Sequence, residues 1–257
     1  MVSTKSVTPK ISIITATYNS GSYLKMCLDS VSKQNFWDLE HIIIDGYSSD
    51  NTISLVNRYI SANNKFPIKL LQSKPRGISH AMNEGIKQAR GEYVYFLHSD
   101  DSLYSTDTFS NVAEFLDKQP KLDWVFGQIH EVDEHGVTIG YPPRLSIFHH
   151  PRAWLIPFYN YIPHQAVFMK KSVFAKYGGF DETLKSMMDD ELWLRISGAT
   201  NWDFMPLVVA NYSIRKTSQS ESQKNKKNNN AEWANLQARY LKYPALLFAK
   251  IINKLLR

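Results

Sequence analysis

Continuous apolar runs alternate with amphipathic segments through the first hundred residues, and this alternation limits the fold more than any other feature. The runs are "KISIITATY", "LEHIIIDG", "FPIKLLQS" and "EYVYFLHS"; between them lie "SGSYLKMCLDSVSKQ", "SDNTISLVNRYISA" and "GISHAMNEGIKQA". Runs that stay apolar, instead of alternating with polar residues, read as strands buried on both faces. The intervening segments carry apolar residues at helical spacing, with Ser49 or Asp50 expected as the N-cap of the second. Strand–helix alternation of this kind predicts an α/β fold, a parallel sheet covered by helices on both faces. In such sheets ligands bind beyond the carboxyl ends of the strands. Thr17, Asp45, Ser73 and Asp100 stand at those ends and are expected to meet in one crevice.

The later chain is less regular. "TDTFSNVAEFLDKQP" predicts a helix, and "LDWVFGQIHEV" and "VTIGYPP" predict strands joined by a turn at Glu134-His135-Gly136. "FHHPRAWLIPFYNYIPHQ", broken by Pro151, Pro157 and Pro163, is either a cleft-lining loop or aromatic packing over a core. "KSVFAKYGGF" reads as a short helix with a glycine stop, "DDELWLRIS" as a helix and "DFMPLVVANYS" as a strand. The polar stretch 216–230 is expected to be a flexible linker or loop. Residues 231–257 predict an amphipathic helical tail, bent at Pro244, with Leu247, Phe248, Ile251, Ile252, Leu255 and Leu256 in one stripe. The expected division is therefore a body over 1–215, the linker, and the tail.

Charge follows the same division. The net charge is +6, yet Asn211–Arg257 carries +8 and the preceding residues −2. A positive tail on a slightly acidic body argues against nucleic-acid binding and for a tail that meets an anionic surface such as a membrane, the alternative being a helix that packs on its own domain or makes a dimer. The single cysteine, Cys27, excludes an internal disulfide framework and reads as a buried thiol. "MVSTKSVTPK" has no apolar signal core, and no apolar run is long enough to span a bilayer, so a cytoplasmic protein is expected, peripheral on the inner face of the membrane if the tail binds there.

Several residue groups carry chemistry. Asp100 and Asp101 end a strand with two adjacent carboxylates. That pair suits Mn²⁺ or Mg²⁺, hard cations that take carboxylate and phosphate oxygens; a turn or helix cap is the alternative. Asp45, before "GYSSDNT", can accept hydrogen bonds from an imide or a ribose hydroxyl, or simply form the turn. Tyr18, in "TATYN" with Asn19, can stack on a base or pack in the core. Lys74 and Arg76 lie at the start of a helix where both can reach a diphosphate, and Gly77 permits close backbone approach. Asp189, Asp190 and Glu191 open a helix in "MMDDELWLR", where they either cap it or supply a general base.

The order of these pieces is more specific than any one of them. "ISIITATYNSGSYLKMCLDSVSKQ", "EHIIIDGYSSDNT", "SKPRGISHAMNEGIKQARGEYVYFLHSDD", "PHQAVFMKKSVFAKYGGFDE" and "MDDELWLR" together resemble family 2 of the glycosyltransferases, inverting enzymes with the Rossmann-like GT-A fold, from about residue 10 to 215, which implies a mixed, mainly parallel sheet flanked by helices. The resemblance implies a nucleotide-sugar donor, with Thr15, Thr17 and Tyr18 lining the base pocket and Asp45 on the base edge. It places Arg76 and Asn83 near the nucleotide, and Ser99-Asp100-Asp101 at the family's DXD-type motif. Asp100 would touch the ribose or the metal shell and Asp101 would bind the metal. Asp189 matches the catalytic base, with Asp190 as the fallback one residue on.

His98 stands where the family usually has Asn, and His80 where Asp is common; His164 matches an "HQ" pair facing the substrate cleft, and Trp193 joins the acceptor or sugar pocket. His149 and His150 lack metal-ligand spacing. The Gln-x-x-Arg-Trp motif and membrane spans of the processive members are absent, which implies single addition. The implied reaction moves one sugar from a UDP-hexose or UDP-N-acetylhexosamine to a glycan or lipid-linked glycan in cell-surface polysaccharide assembly. The rivals are a catalytically silent nucleotide-sugar-binding module and a sugar-phosphate nucleotidylyltransferase, the latter lacking its Gly-rich N-terminal signature here.

Overall fold

The computed structural model describes residues 8–133, 136–140, 153–159, 161–214 and 223–241. Their frame is a nine-stranded sheet. Strands β1 (Ile11–Thr17), β2 (Leu39–Asp45), β3 (Ile68–Gln72) and β4 (Tyr93–Phe96) are parallel in the order β3-β2-β1-β4. Helices α1 (Leu24–Ser32), α2 (Thr52–Ala62) and α3 (Ile78–Gln88) make the crossovers.

Beyond β4 the sheet continues through β8 (Val167–Lys170), β6 (Trp124–Val132), β9 (Trp202–Ser213) and the two-residue β5 (Ser102–Leu103), with β7 (Thr138–Gly140) paired to β6. Strand β8 was not singled out by the sequence pattern. It runs antiparallel to both β4 and β6 and makes the sheet mixed. Three more helices, α4 (Thr108–Lys118), α5 (Lys171–Tyr177) and α6 (Met188–Ile196), complete the body.

The apolar runs of β1, β2 and β4 are buried on both faces, as their lack of alternation requires, whereas β3, at the sheet edge, is only partly buried. Ile11, Ile13, Ile43, Tyr93, Tyr95 and Phe168 enter one core, with Leu24, Cys27, Leu28 and Val31 of α1 and Phe109, Val112 and Leu116 of α4. Their strand neighbours Ile14, Ile42, Ile44, Val94, Phe96 and Met169 enter the other, with Met82 and Ile86 of α3 and Leu192, Trp193 and Ile196 of α6. Full burial of each such side chain is worth about 1.5–3 kcal/mol. Trp124 stacks on both Trp193 and Trp202, fastening α6 to β6 and β9.

Two expectations change and one holds. The N-cap position of α2 is Asn51, although the Asp50 carboxylate accepts the Thr52 N–H at 3.0 Å and the Gly21 N–H at 2.9 Å. Helix α7 (Gln223–Tyr240) begins inside the stretch expected to be a linker. Cys27 is, as expected, a buried free thiol, and burial pushes its pKa up. Glu134, His135, His149, His150, Pro151 and the tail stripe beyond Pro244 lie outside the described residues.

Helix α3 crosses β1 so closely that a Cβ on Gly85 would stand 2.4 Å from Cγ2 of Ile14. Gly85→Ala is therefore expected to lower stability by about 1–3 kcal/mol through overpacking. An unchanged denaturant midpoint would contradict this packing.

Candidate active site

Parallel register brings the strand ends to one level. Thr17 lies beside Asp45, Asp45 beside Gln72, and Ile14 beside Phe96. The chain then leaves β4 in a turn closed by the Asp101 N–H on the His98 carbonyl, and the Ser99 and Ser20 hydroxyls stand 3.3 Å apart. Residues from β1, β2 and β4 thus meet above the sheet edge.

On the β1–β2 side, Tyr18 is 56% exposed and its ring lies over Gly46, where an added Cβ would come within 3.0 Å. Asn19 has a positive φ of 49°, and its side-chain oxygen accepts the Ser49 N–H at 2.9 Å, so it builds the crevice wall. Asp45 is wholly buried; its carboxylate accepts the Ser48 N–H at 2.9 Å and the Ser48 hydroxyl. Thr15, expected to line the base pocket, lies beneath it, its hydroxyl donating to the Leu97 carbonyl at 2.9 Å beside His41. Thr17 keeps a buried hydroxyl with no partner among the described residues. Tyr47, absent from the sequence expectations, projects here 55% exposed from a backbone with φ of 61°. A non-glycine residue held in that region stores strain, which often marks a functional position.

The start of α3 forms the next wall. Gly77 adopts φ of 107° with open space around the position of its missing Cβ, and no side chain caps the helix. Its first amides are available to an anion. Lys74 and Arg76 are exposed, and neither forms an ion pair among the described residues. Asn83, expected near the nucleotide, is instead a splint: its amide group donates to the Phe180 carbonyl and Glu182 and accepts the Phe180 N–H, all at 2.9 Å. His80 sits between Ser73 and Glu182 in the same splint. The Ser79 hydroxyl reaches Sδ of Met188 at 2.8 Å, joining the first turn of α3 to the first turn of α6.

The two neighbouring carboxylates separate. Asp101, expected to bind the metal, is only 1% exposed, and an oxygen of its carboxylate accepts the Ser213 N–H at 2.9 Å, so it ties the turn to β9. Asp100 is half-buried beside His98. Burial lowers the pKa of His98, and the Asp100 charge partly restores it.

His164 is 6% exposed in a 3₁₀ turn (His164–Ala166) before β8. Its ring lies 5.1 Å from that of His98 and 6.3 Å from that of Trp193. Both ring nitrogens of His164 and the indole N–H of Trp193 lack protein partners among the described residues. Burial, and then the neighbouring His98, hold the His164 pKa well below its ordinary value. Trp193 follows Asp189 by one turn of α6, so the aromatic group links the Asp100 turn to the start of that helix. Asp189 is half-buried and Asp190 buried. Burial raises the Asp189 pKa, and hydrogen bonding to Asp190 lowers it in part.

No cluster of three or more His, Cys, Asp or Glu side chains suited to a metal occurs among the described residues. Of the two neighbouring carboxylates, Asp100 is the one not fully buried, and its chemistry fits a divalent cation, a hard ion that takes carboxylate, phosphate and water oxygens.

The model of the family "Glycosyl transferase family 2" matches residues 12–175. A "PGL/p-HBAD biosynthesis glycosyltransferase" of Mycobacterium bovis (strain BCG / Pasteur 1173P2) is 30% identical over 210 residues, covering 80% of this chain and 77% of the relative. Among solved structures, S. aureus TarS 1-349 in complex with UDP-GlcNAc superposes with a TM-score of 0.71 at 23% identity, covering 95% of this chain and 70% of that one. The mannosyltransferase PcManGT from Pyrobaculum calidifontis, in complex with GDP-Man and Mn²⁺, superposes at 0.73 with 20% identity over the same shares.

A buried neutral histidine makes stability depend on pH. His164 is depressed in the folded state, so the unfolded chain binds more protons and stability is lost as pH falls below about 6.5, by up to about 1.4 kcal/mol per pH unit. His164→Leu is expected to remove that share of the acid-side slope and to raise stability at neutral pH by about 1 kcal/mol, because an unpaired buried polar ring is replaced. Denaturant titrations between neutral and mildly acid pH check this; a slope unaltered by the substitution contradicts it.

Proposed function

This chain belongs to glycosyl transferase family 2, and from that premise we propose that it is an inverting, single-addition hexosyltransferase using a UDP-hexose or UDP-N-acetylhexosamine donor. Its fold is the GT-A arrangement, and it is a glycosyltransferase. The observation that carries the finer reading is the meeting of two carboxylate-bearing elements: the Asp100 turn and the start of α6 are bridged by His98, His164 and Trp193.

In this reading Tyr18 stacks on the base, with Tyr47 at the same mouth, while Asp45 and Thr17 face the base and ribose from the strand ends. Lys74, Arg76 and the free amides after Gly77 receive the diphosphate. Asp100, with His98 two residues before it, would hold Mn²⁺ or Mg²⁺, which would supply positive charge to offset that of the departing nucleotide. Asp101 keeps the turn in place. The unpaired nitrogens of His164 and Trp193 and the Thr17 hydroxyl are donors and acceptors left for substrate hydroxyls.

Asp189 then takes the proton from an acceptor hydroxyl as its oxygen attacks the anomeric carbon. The bond from that carbon to the phosphate oxygen breaks, and its electron pair leaves with UDP. One displacement inverts the configuration. Asp189 suits the role better than Asp190, because it reaches the surface and burial raises its proton affinity. A glycan or lipid-linked glycan acceptor is in keeping with the biosynthetic name of the mycobacterial relative. Among the described residues no helix is long and apolar enough to cross a membrane, and the reading places the enzyme in the cytoplasm with its tail at an anionic membrane face.

A panel of nucleotide sugars with Mn²⁺ is expected to reveal one donor that is turned over, with the metal response lost in Asp100→Ala. Asp189→Asn is expected to lower kcat about 10²–10⁴-fold. Because only ionised Asp189 accepts the proton, wild-type kcat falls as pH drops through its raised pKa, with a midpoint above the usual carboxylate value. Donor binding without turnover of any donor–acceptor pair would instead mark a silent binding module.

A further inference from the structure

Helix α6 begins without a local cap. Its N-cap position is Met187, and no side chain there bonds the helix amides. The amides just ahead of it are nevertheless taken up, by a residue far along the chain. Oε1 of Glu232 accepts the Lys185 N–H at 2.9 Å, and Oε2 accepts the Ser186 N–H at 3.0 Å and the Met187 N–H at 3.2 Å. Three successive amides aimed at one carboxylate form an anion nest, here filled by the protein's own side chain. Charge-assisted bonds of this kind are stronger than neutral ones.

Glu232 is the first of several α7 contacts spaced one helical turn apart. Leu236 is buried, Arg239 lies 3.4 Å from the Asp181 carboxylate, and the Tyr240 hydroxyl bonds Glu191 of α6. Positions 232, 236, 239 and 240 share one helix face. The adjacent Gln237 donates to the Pro157 carbonyl at 2.8 Å. Glu191 pairs in turn with Arg195, whose guanidinium also holds the carbonyls of Tyr177, Gly178 and Gly179. The same loop is splinted to α3 through Asn83. An unbroken set of contacts therefore runs from α7 through the start of α6 to the wall of the crevice.

We infer that α7 belongs to the catalytic apparatus: Glu232 is a positioning residue that fixes residues 185–187 and thereby presents Asp189, two positions further on. The inference rests on the assignment of Asp189 as the base. It gives the helix a task that needs no membrane. A base must stand within hydrogen-bond reach of the proton it takes, and a displacement of about 1 Å costs about 10²-fold in rate. Met187 is tied to α6 through its carbonyl, which accepts the Glu191 N–H at 3.0 Å, but the N–H groups of residues 185–187 are held by Glu232, so release of the clasp loosens the segment that leads into Asp189.

The test uses the full chain with the donor that the wild type turns over. Amide hydrogen exchange is followed at Lys185, Ser186 and Met187, beside kcat, donor KM and thermal midpoint, in wild type, Glu232→Ala and Glu232→Gln. Asp189→Asn serves as the reference. In Glu232→Ala the three amides are expected to lose protection, and kcat to fall about 10–100-fold with donor KM within about threefold. Glu232→Gln keeps an acceptor oxygen and is expected to recover at least about a third of kcat. Should the alanine variant not fold, Glu232→Asp carries the same test, since its carboxylate is one methylene too short to span all three amides.

Unprotected amides in the wild type overturn the clasp whatever the kinetics show. Lost protection with unchanged kcat, or a donor KM that rises as much as kcat falls, overturns its positioning role. Wild-type turnover by Asp189→Asn removes the base assignment, and the inference with it, while the exchange data still report whether the clasp exists.

Discussion

Parallel pairing of β1 with β2 and β4 is the constraint on which the rest depends. Hydrogen bonds in register from Ile11 to Thr17 bring Thr17, Asp45 and the 98–101 turn to one level. A one-residue slip would turn every side chain to the opposite face and send the apolar set of each core into the other. Burial on both faces makes that slip costly, so the position of the crevice follows from the core.

Around that crevice the structure leaves polar atoms unpaired where a compact protein would normally satisfy them. The His164 nitrogens, the Trp193 indole N–H and the Thr17 hydroxyl are buried without partners among the described residues. An unmet buried donor or acceptor costs about 1–3 kcal/mol. Elsewhere the same fold satisfies such groups closely: His41 is bonded to both Thr15 and Tyr59, and Glu40 to Ser12 and Arg90. The contrast sets the crevice apart from a core that is complete without a ligand, and in the proposed function those atoms are left for substrate hydroxyls.

The start of α6 is set by several elements at once. Trp124 stacks beneath Trp193, Met188 touches Ser79 of α3, and Glu232 of α7 gathers the amides of residues 185–187. Each contact comes from a different part of the chain. A short helix bearing three acids in its first turn gains from the helix dipole, but the dipole alone does not set its direction. Packing and the clasp supply that direction.

The sequence by itself determined the four parallel strands and their crossover helices, because period and apolar continuity are local and survive without knowledge of neighbours. It also placed Thr17 and Asp45 at strand ends, where the parallel register sets them side by side. Only the tertiary structure separated Asp100 from Asp101, since two adjacent carboxylates look alike until one of them meets the Ser213 amide of β9. Thr15 went beneath the pocket and Asn83 into a splint for the same reason: their partners, Leu97 and Phe180, are distant in the chain. Antiparallel β8 and the helix entering the expected linker were likewise decided by pairing and docking at long range. Tyr47 had a local signal, an aromatic inside a Gly–Ser turn, yet its positive φ is a property of the folded backbone. Glu232 had none beyond its spacing of one turn from Leu236 and about two from Tyr240, because a carboxylate on a polar helix reads as solvated until the amides of residues 185–187 are brought to it.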